Sequence, residues 1–155
     1  MSRIKYQIFV FFVLIFATNY PQNTLEGDFV LERNALEVKL FNAEKATERG
    51  NHYEAIKYLN QGLEIAKKIE DQKETGLIYS KLAKAHYNIG ELKAAQIHIT
   101  KSIQEFNEID DKINRAEARY IYGLIYLKEE KFETALGYFK SAKTIFQEEG
   151  FDEFE

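Results

Sequence analysis

Cysteine and tryptophan are absent from the 155 residues, and proline and methionine occur once each. Without thiols the chain has no disulfide, no thiolate metal site, no thiol catalysis and no lipid-modified N-terminal cysteine. That absence leaves the compartment undecided. With one proline, helices meet few obligatory breaks, and abundant Glu, Lys, Ala, Leu and Ile favour helix. A basic excess is also missing. The formal net charge is −4, so nothing marks a nucleic-acid footprint. Strand alternation and low-complexity tracts do not occur.

Signatures of catalysis are lacking too. Of the three histidines, His52, His86 and His98, no two stand four residues apart, and there is no H-E-x-x-H. The acid pairs Glu129-Glu130 and Glu148-Glu149 read as solvated helix faces rather than an acid/base dyad. No G-x-S-x-G, P-loop or G-x-G-x-x-G occurs. His86 reads as a packing residue and His98 as an outer-face residue. The column Tyr58, His98 and Tyr138 reads as interhelical surface. These observations point away from an enzyme and imply no cofactor and no metal site.

Hydrophobic residues make up 45% of the chain, enough at this length for one globular domain with a core. Residues 1–22, MSRIKYQIFVFFVLIFATNYPQ, form a separate object. Arg3 and Lys5 precede an unbroken apolar run from Ile8 to Ala17, which is followed by Thr18, Asn19 and Pro21. That order is the order of a secretory signal peptide. Ten helical residues span about 15 Å, roughly half a bilayer core, so a cleaved signal is expected ahead of an uncleaved anchor or a buried helix. The expected location is therefore periplasm or cell envelope, with inner-membrane anchoring as the alternative. Cleavage would remove Arg3 and Lys5 and bring the net charge from −4 to −6.

The rest of the chain repeats itself. GNHYEAIKYLNQGLEIA begins at residue 50, GELKAAQIHITKSIQEF at 90 and EKFETALGYFKSAKTIF at 130, a period of 40. Ala55, Ala95 and Ala135 align, as do Leu59, Ile99 and Phe139, and Gly62, Ser102 and Ala142. Upstream, Ala43, Ala83 and Gly123 align, followed by Ala46, His86 and Tyr126. Unrelated amphipathic helices would not keep small residues in the same columns. Each unit reads as helix, turn, helix, with the small residues at points of close approach. Gly62, Ser102 and Ala142 are expected to leave room for the first helix of the next unit. Gly50 and Gly90 suit left-handed C-caps, whereas Glu130 predicts a differently built third turn. Helices are expected over 28–49, 52–69, 73–89, 92–108, 112–129 and 132–148. A linker at 23–27 precedes the first helix.

These columns resemble the tetratricopeptide repeat. Tyr122-Gly123 with Tyr126, then Ala135, Phe139 and Ala142, is the nearest match. Ala83 with His86, then Gly90, Ala95, Ile99 and Ser102, follows it. Ala46 stands where the family carries an aromatic. The usual period is 34, against 40 here, and the family's closing proline is missing throughout. The resemblance covers 36–148 and divides it into 36–75, 76–115 and 116–148. It implies an all-α, right-handed α-α superhelix, a solenoid of three antiparallel helix hairpins. It also implies a scaffold that binds a protein or peptide on the concave side, lined by the first helices.

Projected periodicity puts Ser80, Lys84, Tyr87 and Asn88 on that side in the second copy, and Tyr120, Leu124, Leu127 and Lys128 in the third. Packing is the competing role for Tyr87 and Tyr120. The first copy would offer Leu40, Phe41, Glu44 and Thr47. Lys84 and Asn88 are too few for a clamp on a peptide's terminal carboxylate, and Glu44 would oppose one.

The last helix is apolar on both sides and leads into 149–155, which reads as a truncated repeat or a cap. Self-association through that end is a further expectation. The alternative function is the sensory part of a membrane-bound bacterial signalling protein, of the histidine-kinase or transcriptional-regulator type. The column alignment predicts that Ala95→Leu overpacks the second hairpin by about 1–3 kcal/mol. Thermal melting checks this, and an unchanged midpoint would refute the register.

Overall fold

Six helices make up the computed structural model, which describes residues 22–150, with side chains from residue 26 onward. They are α1 (Gln22–Glu48), α2 (His52–Lys68), α3 (Gln72–Asn88), α4 (Leu92–Glu108), α5 (Lys112–Lys128) and α6 (Phe132–Glu148). Among the described residues there is no strand. The expected export segment at 1–22 lies outside the described residues except for Gln22, as does the tail from 151 onward. No helix among the described residues is long and apolar enough to cross a membrane.

The helices pair as three antiparallel hairpins, α1 with α2, α3 with α4 and α5 with α6. Each hairpin packs on the next through α2 and α3, then α4 and α5. The chain is an all-α repeat solenoid. Residues 23–27, expected as a linker, belong to α1. Gly27 resists helix most there, ahead of Asn23 and Thr24, and one interior glycine costs about 1 kcal/mol, which continuation of a 27-residue helix absorbs.

The turns are more regular than the 40-residue repeat suggests. Positive φ occurs at Gly50, Glu70, Gly90, Asp110, Glu130 and Gly150, one every 20 residues. At the first five, the next N–H reaches back over the helix end. Asn51 N–H donates to Ala46 O, Asp71 to Ala66, Glu91 to His86, Asp111 to Phe106 and Lys131 to Tyr126, each at 2.9 Å. This is the Schellman closure, which satisfies carbonyls that a helix end leaves unpaired. The turn at Glu130 is therefore built like the others, with φ 61°, contrary to the expectation of a different third turn. The closing hydrogen bonds hold a carboxylate residue in the left-handed region, where glycine sits without strain. Asn51, Asp71 and Asp111 then cap the following helices, accepting from the N–H groups of Glu54, Glu74 and Asn114.

The small-residue columns lie inside. Ala43, Ala83, Ala55, Ala95, Ala135 and Ala142 are 0–2% exposed. Leu36, Leu59, Ile78 and Leu82 form one cluster across α1, α2 and α3. Ala95, Ile99, Phe106, Ala118 and Ile125 form the next across α4 and α5, beside Ala83 of α3. Both of these clusters use a helix of the following hairpin, while a third, made of Ala116, Ala142, Ile145 and Phe146, lies within the last hairpin.

The 62/102/142 column serves its own hairpin as much as the next unit. A Cβ at Gly62 would lie 3.4 Å from Leu36 and 3.5 Å from Leu40 of α1, and 3.7 Å from Ile78 of α3. Ser102 Oγ, fully buried, donates to the Gly76 carbonyl at 2.8 Å. The hydroxyl therefore finds a backbone partner inside the core, where an unpaired one would be costly.

Gly76 is the tightest contact of α3. A Cβ there would stand 2.7 Å from Phe106 Cε1, and Phe106 is fully buried and has no room to turn. Gly76→Ala should therefore lower stability by about 1–3 kcal/mol despite the better helix former. Gly62→Ala, which meets ordinary contact distances, should be neutral or stabilising by up to about 1 kcal/mol. Urea unfolding of both variants checks the pair, and equal effects would contradict this packing.

Candidate interaction site

The side chains expected on the first helices fall into three environments. Lys84 and Asn88 on α3, and Lys128 on α5, are exposed, with Leu124 half-buried beside them. Lys84 and Leu124 occupy equivalent repeat positions, as do Asn88 and Lys128. On α1 the equivalents are Glu44 and Glu48, both exposed. One face therefore runs from acidic on α1, through basic and amide on α3, to apolar and basic on α5. Residues four apart on each helix lie one above the other, so the three pairs form parallel rows.

Lys128 ties two rows together. Its Nζ donates to the Tyr87 carbonyl at 2.9 Å and lies 4.3 Å from the Tyr87 ring centroid. The carbonyl belongs to the last turn of α3, where backbone dipoles favour a cation. The ring contact adds a cation–π attraction. Tyr87 is half-buried and packs against the cluster that includes Ile121 and Ile125 of α5. Its ring is part of the joint between hairpins, and its Lys128 partner marks the edge of the open face.

Ser80 faces its own hairpin, with its hydroxyl 2.7 Å from that of Ser102. Tyr120 is 50% exposed, and its ring lies 5.3 Å from that of Phe139 on α6. Leu127 is 44% exposed. It is the repeat equivalent of Tyr87, which α5 covers. Tyr120 and Leu127 therefore lie toward the α6 end of the stack, apart from the row of Lys84 and Asn88. In the first copy Phe41 is 57% exposed and Lys45 Nζ lies 5.6 Å from its ring. A depression of ≈ 520 Å³ lies elsewhere, lined by Asp28, Phe29, Leu31 and Glu32 of α1 with Lys68 and Ile69.

The aromatic column between helices is the other place where chemistry could concentrate. Tyr122, Tyr126 and Tyr138 pack with centroids 4.7–5.5 Å apart, Tyr126 stacked on both others and Tyr122 tilted against Tyr138. A hydrogen bond to Tyr122, followed by burial, pushes the Tyr126 phenol up to about 12. His98, expected on the outer side, instead stacks on His86 at 5.1 Å and lies 5.9 Å from Tyr79. Its Nδ1 is buried without a hydrogen-bond partner. Burial first, then repulsion from His86 and Lys101, lowers its pKa to about 4. A neutral imidazole walled by aromatic rings is a packing group. Among the described residues, no cluster of His, Cys, Asp or Glu could hold a metal ion.

The depressed pKa of His98 has a measurable consequence. The folded state takes up this proton at lower pH than the unfolded state, so stability falls as pH drops from about 6.5 to 4. Discounted for solvent screening, the loss should be about 1–2 kcal/mol. His98→Tyr, which installs the residue found at positions 58 and 138, should remove that part of the acid sensitivity. Urea midpoints at neutral and acid pH test this, and an undiminished acid loss in the variant would disprove the assignment.

A scan of the chain against protein-family models finds none that matches, and a search of curated proteins finds no match.

Proposed function

We propose that this chain is a tetratricopeptide-like scaffold that binds an extended segment of another protein or peptide across α1, α3 and α5. The observation that carries this reading is the set of repeat-equivalent pairs Glu44/Glu48, Lys84/Asn88 and Leu124/Lys128, exposed except for the half-buried Leu124. Glu48 pairs with Lys45 at 2.7 Å and Lys128 with Tyr87, and the chemistry differs from row to row. A face with such a gradient discriminates by direction: basic groups of a ligand suit α1, while acidic and apolar groups suit α3 and α5. Lys128 is already held in place by Tyr87, so less rotamer freedom is lost when it meets a carboxylate. Membership of the tetratricopeptide class rests on the six repeat columns. Action outside the cytoplasm rests on the composition of residues 1–22 alone.

The test is site-specific crosslinking in the native cell, with a photoreactive residue at position 124 and a control at the exposed Lys57 of α2. A discrete adduct from position 124 and none from 57 is expected. Its yield should fall about tenfold or more in the double variant Lys84→Glu/Lys128→Glu, since reversing charges at an interface replaces attraction by repulsion. Equal adducts from both positions, or a yield indifferent to the charge reversal, would remove this face from consideration.

A further inference from the structure

The two joints between hairpins keep their cations in different places. In the first joint Tyr79 of α3 is buried between two second helices. Lys67 Nζ of α2 lies 5.3 Å from its ring centroid, and Lys101 Nζ of α4 lies 5.5 Å from it. One repeat later Arg119 of α5 stands at the position of Tyr79, and Asn107 and Ser141 stand at those of Lys67 and Lys101. One turn before Arg119, Arg115 replaces the buried Thr75. Each joint thus carries two cations at these positions, but in the second they have moved from the flanking helices into the middle.

The contacts agree with that placement. Arg119 Nη1 donates to Ser141 Oγ of α6 at 2.7 Å, and Arg115 Nη1 donates to Asn107 Oδ1 of α4 at 3.0 Å. Residues four apart share one side of a helix, so the two half-buried arginines line the same side of α5. Both of these partners are neutral. Among the described residues the one carboxylate within 4 Å of Arg115 is that of Asp110, at 3.9 Å and 77% exposed, and Arg119 has none. Asp111 instead caps α5 and faces Lys73, while Glu149 accepts from Lys112. The ion pairs that tie successive hairpins, Arg33 with Asp71 and Lys73 with Asp111, use a different position, where α5 has Ile113. Arg115 Nε is buried without an acceptor. A guanidinium stays charged at any physiological pH, and half-burial makes its unmet charge costly.

We propose that this side of the joint, between α4 and α6, binds an oxyanion, a phosphate or carboxylate group, through Arg115 and Arg119. The planar fork of an arginine matches two oxygens of such a group. The neutral partners add donors. Asn107 spends its oxygen on Arg115 and keeps its amide N–H groups, and Ser141 accepts from Arg119 and keeps its O–H. The set is rich in donors and poor in acceptors, as an anion requires. It is also separate from the face of the proposed scaffold and does not rest on that reading. Arg119 and Lys128 are nine residues apart, about two and a half turns, and so point to opposite sides of α5.

Thermal melting of the purified full chain tests this, with chloride exchanged for inorganic phosphate at constant ionic strength. Binding to the folded state should raise the midpoint saturably, with half the effect at about 1–10 mM phosphate. Arg119→Gln should move that concentration up by about tenfold or more, and Arg119→Lys, which keeps the charge and loses the fork, by less. Lys57→Gln, on the exposed surface of α2, should leave it in place. The arginine Nε–Hε signals in nitrogen-15 NMR should shift over the same titration, which reads binding even where a variant melts early. Acetate in place of phosphate separates the two groups: an equal response assigns a carboxylate, and a response to phosphate alone assigns a phosphoryl group. A midpoint and NMR signals indifferent to both anions would overturn the proposal. So would a phosphate response that is the same in the wild-type chain and in Arg119→Gln.

Discussion

Everything in this molecule depends on how closely the two helices of each hairpin approach. Gly62 lets the side chains of Leu36 and Leu40 rest on the backbone of α2, and Gly76 seats the ring of Phe106. At Gly123 a Cβ would stand 2.5 Å from Phe139. Large residues are thus received by missing ones, and the receiving positions recur along the chain. Close packing of this kind leaves little slack: a methyl group added at Gly76 has nowhere to go. The same approach brings Ala83 and Ala95 into the core and holds consecutive hairpins at one spacing, so the core is shared along the stack.

A second constraint follows from the first. Hairpins of one repeat length can stack only if the chain reverses in the same way each time. Five successive turns do so, with a left-handed residue and a hydrogen bond over the helix end. Glycine fills that position at 50 and 90, while Glu70, Asp110 and Glu130 are held there by the geometry around them. The resulting half-period of 20 residues makes intra-hairpin and inter-hairpin turns equivalent. That equivalence lets Asp71 and Asp111 serve both as helix caps and as partners of Arg33 and Lys73 from the preceding hairpin.

A stack of this kind exposes first-helix residues in rows, and the proposed binding face is built from them. Glu44 and Lys84 lie open along the array, with the half-buried Leu124 in the same row position, and the exposed Leu136 lies at its end. Function as a scaffold requires only that the rows stay accessible. The aromatic column between α5 and α6 is structural in the same sense as the small residues: its rings touch each other and fill space.

The sequence by itself determined the all-helical class, the three hairpins, the columns of close contact and the helix ends to within a few residues, except at α1, which begins at Gln22. Those follow from local chemistry: apolar periodicity, the placement of alanine and glycine, and a repeat that shows itself without reference to space. Only the tertiary structure decided that Glu130 turns the chain as glycine does, since a left-handed glutamate is set by the hydrogen bonds around it and not by its own preference. The same holds for His98, whose position against His86 depends on two helices meeting. It holds too for the sorting of the expected face, where Ser80 turned inward to Ser102, Tyr87 joined the next hairpin, and Lys84, Asn88 and Lys128 remained open. Periodicity along one helix says which residues share a side. What covers that side is decided by a neighbour whose position no single helix contains.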